Sequence, residues 1–382
     1  MRNWLVLAAT ALSLSGCLTP SSGPQATMIY EHATDGSGRL SYELIEIDTS
    51  ILDLFRMRTQ PTLVGRFGNE RVGPTDVKLG VGDLIGMSIF EASAGGLFTP
   101  ASTDTLRQGN YVALPQQVVD NDGTLSVPFA GRIAVAGKSS KQVEAEAVNR
   151  LKDRAIEPQV LISLIESRSS LYSVFGDVHA PNRFPVNWAG ERITAGIARA
   201  GGPVFPDYEE SVTLSRSGKT ATVMLDAIVR NPREDIYLRP GDSIYLRHEP
   251  RFFTALGAAG RSGQYPIDVP RLTLAEAVGR AQGLLDTQAD PTGVFVLRWE
   301  DPRILERMGR DISAYGTKRI PTIYHIDLQN PKLLLASQQI DVLDKDVVYV
   351  TNAPTVEFMK SLVVLNELSS IYLNISAIKP WF

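Results

Sequence analysis

Hydrophobic and polar residues alternate from Ser41 to Asp48 (SYELIEID), which predicts a strand with one face buried. Ile51 to Met57 reads as one short helix. Gly82-Asp83 marks a turn, and Leu84 to Phe90 predicts the next strand. Periodicity is lost over 93–117, where Gly95-Gly96, Pro100 and Pro115 predict a long loop. A strand, a turn and a strand follow, up to Ser140. Val143, Ala147 and Leu151 then recur at helical spacing, with Ser140 as the expected cap and Pro158 as the stop. Gln159 to Ile165 is a further strand.

The remainder repeats itself. Gly176 pairs with Gly257 and Pro185 with Pro266, both 81 positions apart, as do ITAGIARAGG (193–202) and LAEAVGRAQG (274–283). The ends, IYLRPGDSIYLRHEP (236–250) and IDVLDKDVVYVTNAP (340–354), match at 104 positions. They share Asp242/Asp346, Tyr245/Tyr349 and Pro250/Pro354, and an insertion near 300–319 accounts for most of the difference. Each copy is expected to be strand, turn, strand, helix, strand, then a strand pair joined by a tight turn. That is a compact α+β module with one helix on a small mixed sheet.

The two ends of the chain read differently. Trp4 to Leu14 is a mostly apolar stretch, too short to span a bilayer and right for a leader core. Leu14-Ser15-Gly16-Cys17 resembles a lipobox. That implies removal of 1–16 and lipidation of Cys17, the one cysteine in the chain. Leu18 follows in place of the aspartate that retains such proteins at the inner membrane, which points to the outer membrane. Ser, Thr, Gly and Pro make 17–39 a flexible tether.

At the other end, 355–378 lacks Gly and Pro and is rich in Leu, Val and Ile, with Thr355 as the expected cap. As a helix this stretch is roughly 36 Å long, enough for a hydrocarbon core of about 30 Å. Lys360, Glu367 and Asn374 recur every seven residues with Ser370 beside them, giving one polar stripe on an otherwise apolar helix. Neighbouring copies would turn that stripe toward water, so these four residues are the expected pore lining. Lys379, Trp381 and Phe382 suit the far membrane interface.

Composition narrows the chemistry. Hydrophobic residues at 43% and charged residues at 21% are those of a folded globular chain. A net charge of -4 without any Lys/Arg run gives no basis for binding nucleic acid. One cysteine and four scattered histidines are poor material for a metal site, and no cofactor motif is complete. Gly131 to Ser139 has five residues between its glycines where the phosphate-binding loop has four, so it reads as a turn before a helix. Asp177 and His179 read as a polar turn, and no catalytic residue is assigned.

Three motifs in the first half belong together: Leu79-Gly80-Val81-Gly82-Asp83, Asp122 to Gly131 (DGTLSVPFAG) and Glu157-Pro158-Gln159-Val160. With the lipobox and the two repeats, they resemble the outer-membrane polysaccharide export lipoproteins, the Wza-like family. The resemblance runs from about residue 40 to the C-terminus. It implies a multidomain α+β chain: a leader over 1–16, a polysaccharide export domain over 40–170, two ligand-binding β-grasp (SLBB) domains over 171–251 and 252–354, and an outer-membrane helix over 355–382. The second copy departs from the family pattern at Gln282 and at Asp344-Lys345-Asp346, where glycine and Pro-Gly-Asp are usual. The resemblance further implies a non-enzymatic channel for capsular or extracellular polysaccharide. That channel is a homo-oligomeric ring of about eight copies, lipid-anchored with most of the chain in the periplasm. Transport is passive, and an inner-membrane polysaccharide copolymerase docks on residues 79–168. A lipid-tethered periplasmic protein that binds or processes polysaccharide without a pore fits the same leader and modules.

Overall fold

The fold is that of a computed structural model, which describes residues 23–34, 42–48, 51–52, 55, 62–68, 78–92, 97–98, 111–313, 315, 319–356, 358–360 and 362–363. The chain divides into two compact units, Gln60–Glu249 and Met1–Thr59 with Pro250–Phe382. Helix α1 (Ala26–Thr34) and strand β1 (Glu43–Glu46) belong to the latter.

In the unit Gln60–Glu249, helix α2 (Leu63–Phe67) precedes the export domain. There β2 (Leu84–Phe90) pairs antiparallel with β7 (Gln159–Glu166) and with the short β3 (Tyr111–Ala113) and β4 (Gln117–Val118). A hairpin of β5 (Thr124–Val127) and β6 (Gly131–Ala134) follows. Helix α3 (Ser140–Leu151) buries Val143, Ala147 and Leu151 against Ile85, Met87 and Ile89 of β2. Its cap is Ser139, one residue before the expected Ser140. The Ser139 hydroxyl accepts from Gln142 N, and the Gln142 side chain accepts from Ser139 N, so two orphan amides are satisfied reciprocally.

The first repeat consists of β8 (Leu171–Gly176), β9 (Asn182–Pro185), α4 (Ile193–Arg199), β10 (Glu210–Arg216), β11 (Lys219–Met224), α5 (Leu225–Arg230) and β12 (Ser243–His248). Its sheet order is β11-β10-β12-β8-β9, with β12 and β8 parallel. The second repeat has β13 (Phe252–Gly257), β14 (Gly263–Pro266), β15 (Leu272–Thr273), α6 (Leu274–Arg280), β16 (Ala289–Glu300), α7 (Pro302–Arg307), β17 (Ile320–Ile326), α8 (Pro331–Ala336), β18 (Asp341–Val342) and β19 (Val347–Asn352). The order β17-β16-β19-β13-β14 is the same, again with a parallel pair, β13 and β19, at its centre. Pro185 and Pro266 end the outermost strands, where a missing N–H costs no ladder bond.

Three expectations change. The strand over 41–48 does not open the export domain: β1 pairs parallel with β17 and becomes the sixth strand of the second repeat's sheet. Leu52 and Phe55 enter the same core. Residues 62–68 also lie outside the export domain, because Leu63 is buried in the core of the first repeat and its amide donates to the Glu234 carboxylate at 2.6 Å. The tight hairpin of the first repeat is β10–β11, not the final strand pair; its counterpart in the second, β16–β17, is joined through 301–319, which include α7. In the first repeat Ile236 and Leu238 are buried, with a single bridge between Tyr237 and Arg192; in the second the matching segment is β18, which pairs with β15 instead of β19.

The paired glycines have a steric cause. Gly176 and Gly257 sit at φ +92° and +80°, and a Cβ there would lie 2.0 Å from Leu246 O and Val350 O. The family-pattern glycines missing from the second copy are replaced by residues that keep the left-handed backbone: Gln282 at φ +65° against Gly201, and Lys345 at φ +66° against Gly241. Each such residue costs about 1–2 kcal/mol. Gly257→Ala is therefore expected to lower the stability of the second repeat by about 2–5 kcal/mol, from the φ penalty and the backbone overlap. Lys345→Gly is expected to raise its melting temperature by about 2–4 °C per kcal/mol relieved. Thermal unfolding of the full chain followed by circular dichroism checks both.

Candidate functional site

One turn recurs in all three folded modules. In each, a residue with positive φ (Gly82, Gly241, Lys345) precedes a buried aspartate (Asp83, Asp242, Asp346). Each aspartate accepts on Oδ2 from the amide three residues back: Gly80 N at 2.8 Å, Arg239 N at 2.8 Å and Leu343 N at 2.7 Å. Each also donates its own amide to the carbonyl of that residue. The second carboxylate oxygen is used differently. Asp83 Oδ1 accepts from Arg168 N and Ser169 N, both at 2.8 Å, fixing the segment that leaves β7 for β8.

In the repeats a guanidinium takes that role. Arg216 Nε and Nη2 reach Asp242 at 2.9 and 2.7 Å, and Nη2 also donates to Tyr237 O at 2.6 Å. Arg298 holds Asp346 in the same fork and donates to Asp341 O at 2.8 Å. Burial disfavours the Arg298 charge, but Asp346, its hydrogen bonds and Glu300 more than offset this, so the pKa is raised above the ordinary arginine value. The aspartates were visible in the sequence as paired positions. Their arginines were missed, because no motif marks an arginine at the end of a strand whose partner lies 26 or 48 residues on.

The second repeat carries an extra layer. On the outward face of its sheet, Ile29 of α1 packs with Phe295, Ile323 and Tyr349. Tyr349 donates to Pro24 O at 2.7 Å, and Tyr42 donates to Ile29 O. A cavity of about 520 Å³ beneath α1 is almost wholly apolar, lined by Met28, Leu256, Leu297 and Val347 among others.

Of the residues assigned from sequence, Cys17, Glu367, Ser370, Asn374, Lys379, Trp381 and Phe382 lie outside the described residues. Lys360 lies inside them. The chain turns helical at Pro354, so proline takes the first helical position and Thr355 sits within the helix instead of capping it. Phe358, Met359, Leu362 and Val363 share one helical face, are between 42% and 64% exposed, and leave Lys360 off that face. Among the described residues no helix is long and apolar enough to cross a membrane.

The near-motifs are structural. Lys138 pairs with Glu146, and Ser139 caps α3. Asp177 accepts from His248 N at 2.7 Å, whereas His179 Nδ1 faces Gly202 O, so the two form no pair. His248 meets Glu209 at 3.0 Å and stacks on Phe205. Among the described residues no group of three or more His, Cys, Asp or Glu could hold a metal ion.

Comparison with known proteins agrees with this architecture. The polysaccharide biosynthesis/export protein family matches residues 72–165, and the SLBB domain matches residues 252–350. The capsule polysaccharide export protein BexD of Haemophilus influenzae is 33% identical, over 97% of this chain and 97% of that relative. The chain belongs to the outer-membrane polysaccharide export family. The capsule polysaccharide export outer membrane protein CtrA of Neisseria meningitidis serogroup B is 34% identical, over 95% of this chain and 93% of its own. The EPS I polysaccharide export outer membrane protein EpsA of Ralstonia nicotianae is 27% identical, over 82% of each chain. The SLBB match falls on the copy that departs from the family's glycine pattern. The shared strand order extends that fold to the first copy.

The buried ion pairs make a test available. Asp242→Ala leaves Arg216 charged and buried without its carboxylate, and is expected to cost about 3–5 kcal/mol. Replacing both residues by apolar ones of similar volume is expected to cost less than the single change. Denaturant unfolding of the two variants beside the parent protein decides the order.

Proposed function

We propose that this export-family protein is an outer-membrane lipoprotein that carries polysaccharide from the periplasm to the cell surface through a closed homo-oligomeric ring. The observation that carries the reading is the exposed apolar face of Phe358, Met359, Leu362 and Val363, in the helical stretch that starts at Pro354, one residue beyond the last strand of the second repeat. Nothing in the described chain covers that face, and a bilayer would. The helix over 355–382 then crosses the outer membrane, with Lys360, Glu367, Ser370 and Asn374 toward a water-filled pore and Lys379, Trp381 and Phe382 at the far interface.

The lipid end leads to the same place. Cys17 is six residues before Gly23, whose backbone lies against the Tyr349 ring of β19. Six residues span at most about 20 Å. Both membrane attachments therefore leave from β19, which supports a second β-grasp module next to the bilayer; the family reading assigns the export domain over 78–170 to the periplasm. That domain is the surface offered to an inner-membrane polysaccharide copolymerase. Transport through the ring is passive and needs no catalytic group, cofactor or metal in this chain. Ring closure by head-to-tail contacts covers the lateral surfaces of every copy, and about eight copies is the family expectation.

Cys17→Ser is expected to leave an uncleaved or detergent-independent precursor, read by fractionation and mobility. Deleting 355–382 is expected to leave folded rings, seen by negative-stain imaging, with no polymer at the cell surface. Single cysteines at 360, 367 and 374 are expected to react with water-soluble thiol reagents, while those replacing Leu362 and Leu373 do not. Equal labelling at all five positions, or export by the truncated chain, would remove the helical pore.

A further inference from the structure

We infer that the second β-grasp module holds a binding site for an acidic sugar residue of the exported polymer, built on Trp299, Lys345 and Arg319. The inference rests on the export reading above and names the chemistry of its substrate.

Strand register brings the three together. The β16–β19 ladder ends at Leu297–Val347, and just beyond it lie Trp299, two residues after Leu297, and Lys345, two residues before Val347, both lining one cavity. On its other side Trp299 pairs with Pro321 of β17. Arg319 immediately precedes β17 and lines the same cavity. These residues line a cavity of about 530 Å³ together with Leu343 and Asp344. Trp299 is 55% exposed. Its indole offers a flat apolar surface of the kind that stacks on the C–H face of a pyranose ring. The buried Arg298–Asp346 fork borders the same cavity and holds both strands in place. The platform is thus rigid before any ligand arrives.

The charge around the indole selects for an anion. Asp346 is consumed by Arg298. Lys345 meets Asp344 only at 3.8 Å, with the lysine side chain 88% exposed, a solvated pair that competes weakly. Arg319 forms no hydrogen bond or ion pair among the described residues. One cation is therefore in excess at the mouth of the cavity, placed for a carboxylate on the stacked sugar.

The comparison between the copies argues that the site is not a by-product of the fold. At the corresponding places the first repeat has Ser217 and Gly241, and its hairpin closes at Arg216–Lys219, leaving no wall for a cavity. The same turn in the export domain has Gly82. Only the second copy combines a longer hairpin, an exposed tryptophan and a strained lysine where glycine would be unstrained.

The test titrates the full chain in detergent with oligogalacturonate and with neutral dextran oligomers of equal length, following indole fluorescence and calorimetric heat. The acidic oligomer is expected to bind, more weakly at about 0.5 M salt, and the neutral one to bind weakly or not at all. Trp299→Ala is expected to weaken binding by about tenfold or more. Arg319→Gln is expected to weaken it and to erase the preference for acid. Lys345→Gly is the decisive variant, since it is expected to be more stable and yet to bind several-fold more weakly, which a purely structural lysine would not produce. Unchanged affinity in Trp299→Ala and Lys345→Gly would overturn the site. Equal binding of the neutral oligomer would do the same, as would binding to anionic phospholipid vesicles in place of the sugar. Complementation of a strain lacking the protein separates the two claims. Restored surface polymer with no oligomer binding defeats this site alone, and failure of the unaltered protein to restore polymer defeats the export reading itself.

Discussion

A carboxylate buried one residue after a left-handed turn holds each of the three modules at the place where its strands must change direction. Asp83, Asp242 and Asp346 each satisfy an amide three residues back, and each then reaches out to a second segment. For Asp83 that segment is the backbone leaving β7, and for the other two it is an arginine at the end of a distant strand. A buried charge is tolerated only when every lone pair is used, so these turns permit few alternative arrangements. The strand registers on either side follow from them. Ser173 N bonds Asp242 O in one repeat, and Thr254 N bonds Asp346 O in the other.

With register set in this way, the two β-grasp modules differ by what is laid over a common sheet. The second has β1 beside β17, α1 across the outward face, and α7 within a lengthened hairpin connection. The first has α2 packed into its core through Leu63. Two copies of one fold have thus diverged by accretion from the N-terminal 70 residues and from a single loop, while their centres stayed alike.

Much of this was legible in the chain. The strand Leu84–Phe90 and the helical spacing of Val143, Ala147 and Leu151 were readable because local periodicity reports which face is buried. The repeat was readable because Gly176 and Gly257 admit no side chain. What was not legible is non-local. The alternation over Ser41–Asp48 shows that a strand is half-buried, but it carries no address for its partner, and the nearest module in sequence was the wrong one. The buried Ile236 and Leu238 imitate a strand because a segment packed beside a sheet edge can bury alternate residues without joining the ladder. The fork arginines could not be found for the same reason, since a partner 48 residues away leaves no periodic trace.

The pairing of β1 with β17 also dictates an order of events in the life of the chain. Glu46 and His325 meet across 279 residues of sequence. A chain synthesised from its N-terminus delivers β1 early, and its partner strand arrives only after the export domain and the first repeat have emerged. Those intervening modules have their own closed cores and can fold while β1 waits. Until β17 appears, a half-apolar strand stands unpaired near the N-terminus, a template for unwanted pairing. Docking of β1 is thus the step that reports arrival of the last third of the polypeptide. Loop closure over so long a span makes it slow. Maturation of the protein should therefore be limited by its first strand, among the earliest parts of the fold to be made and the last to find its place.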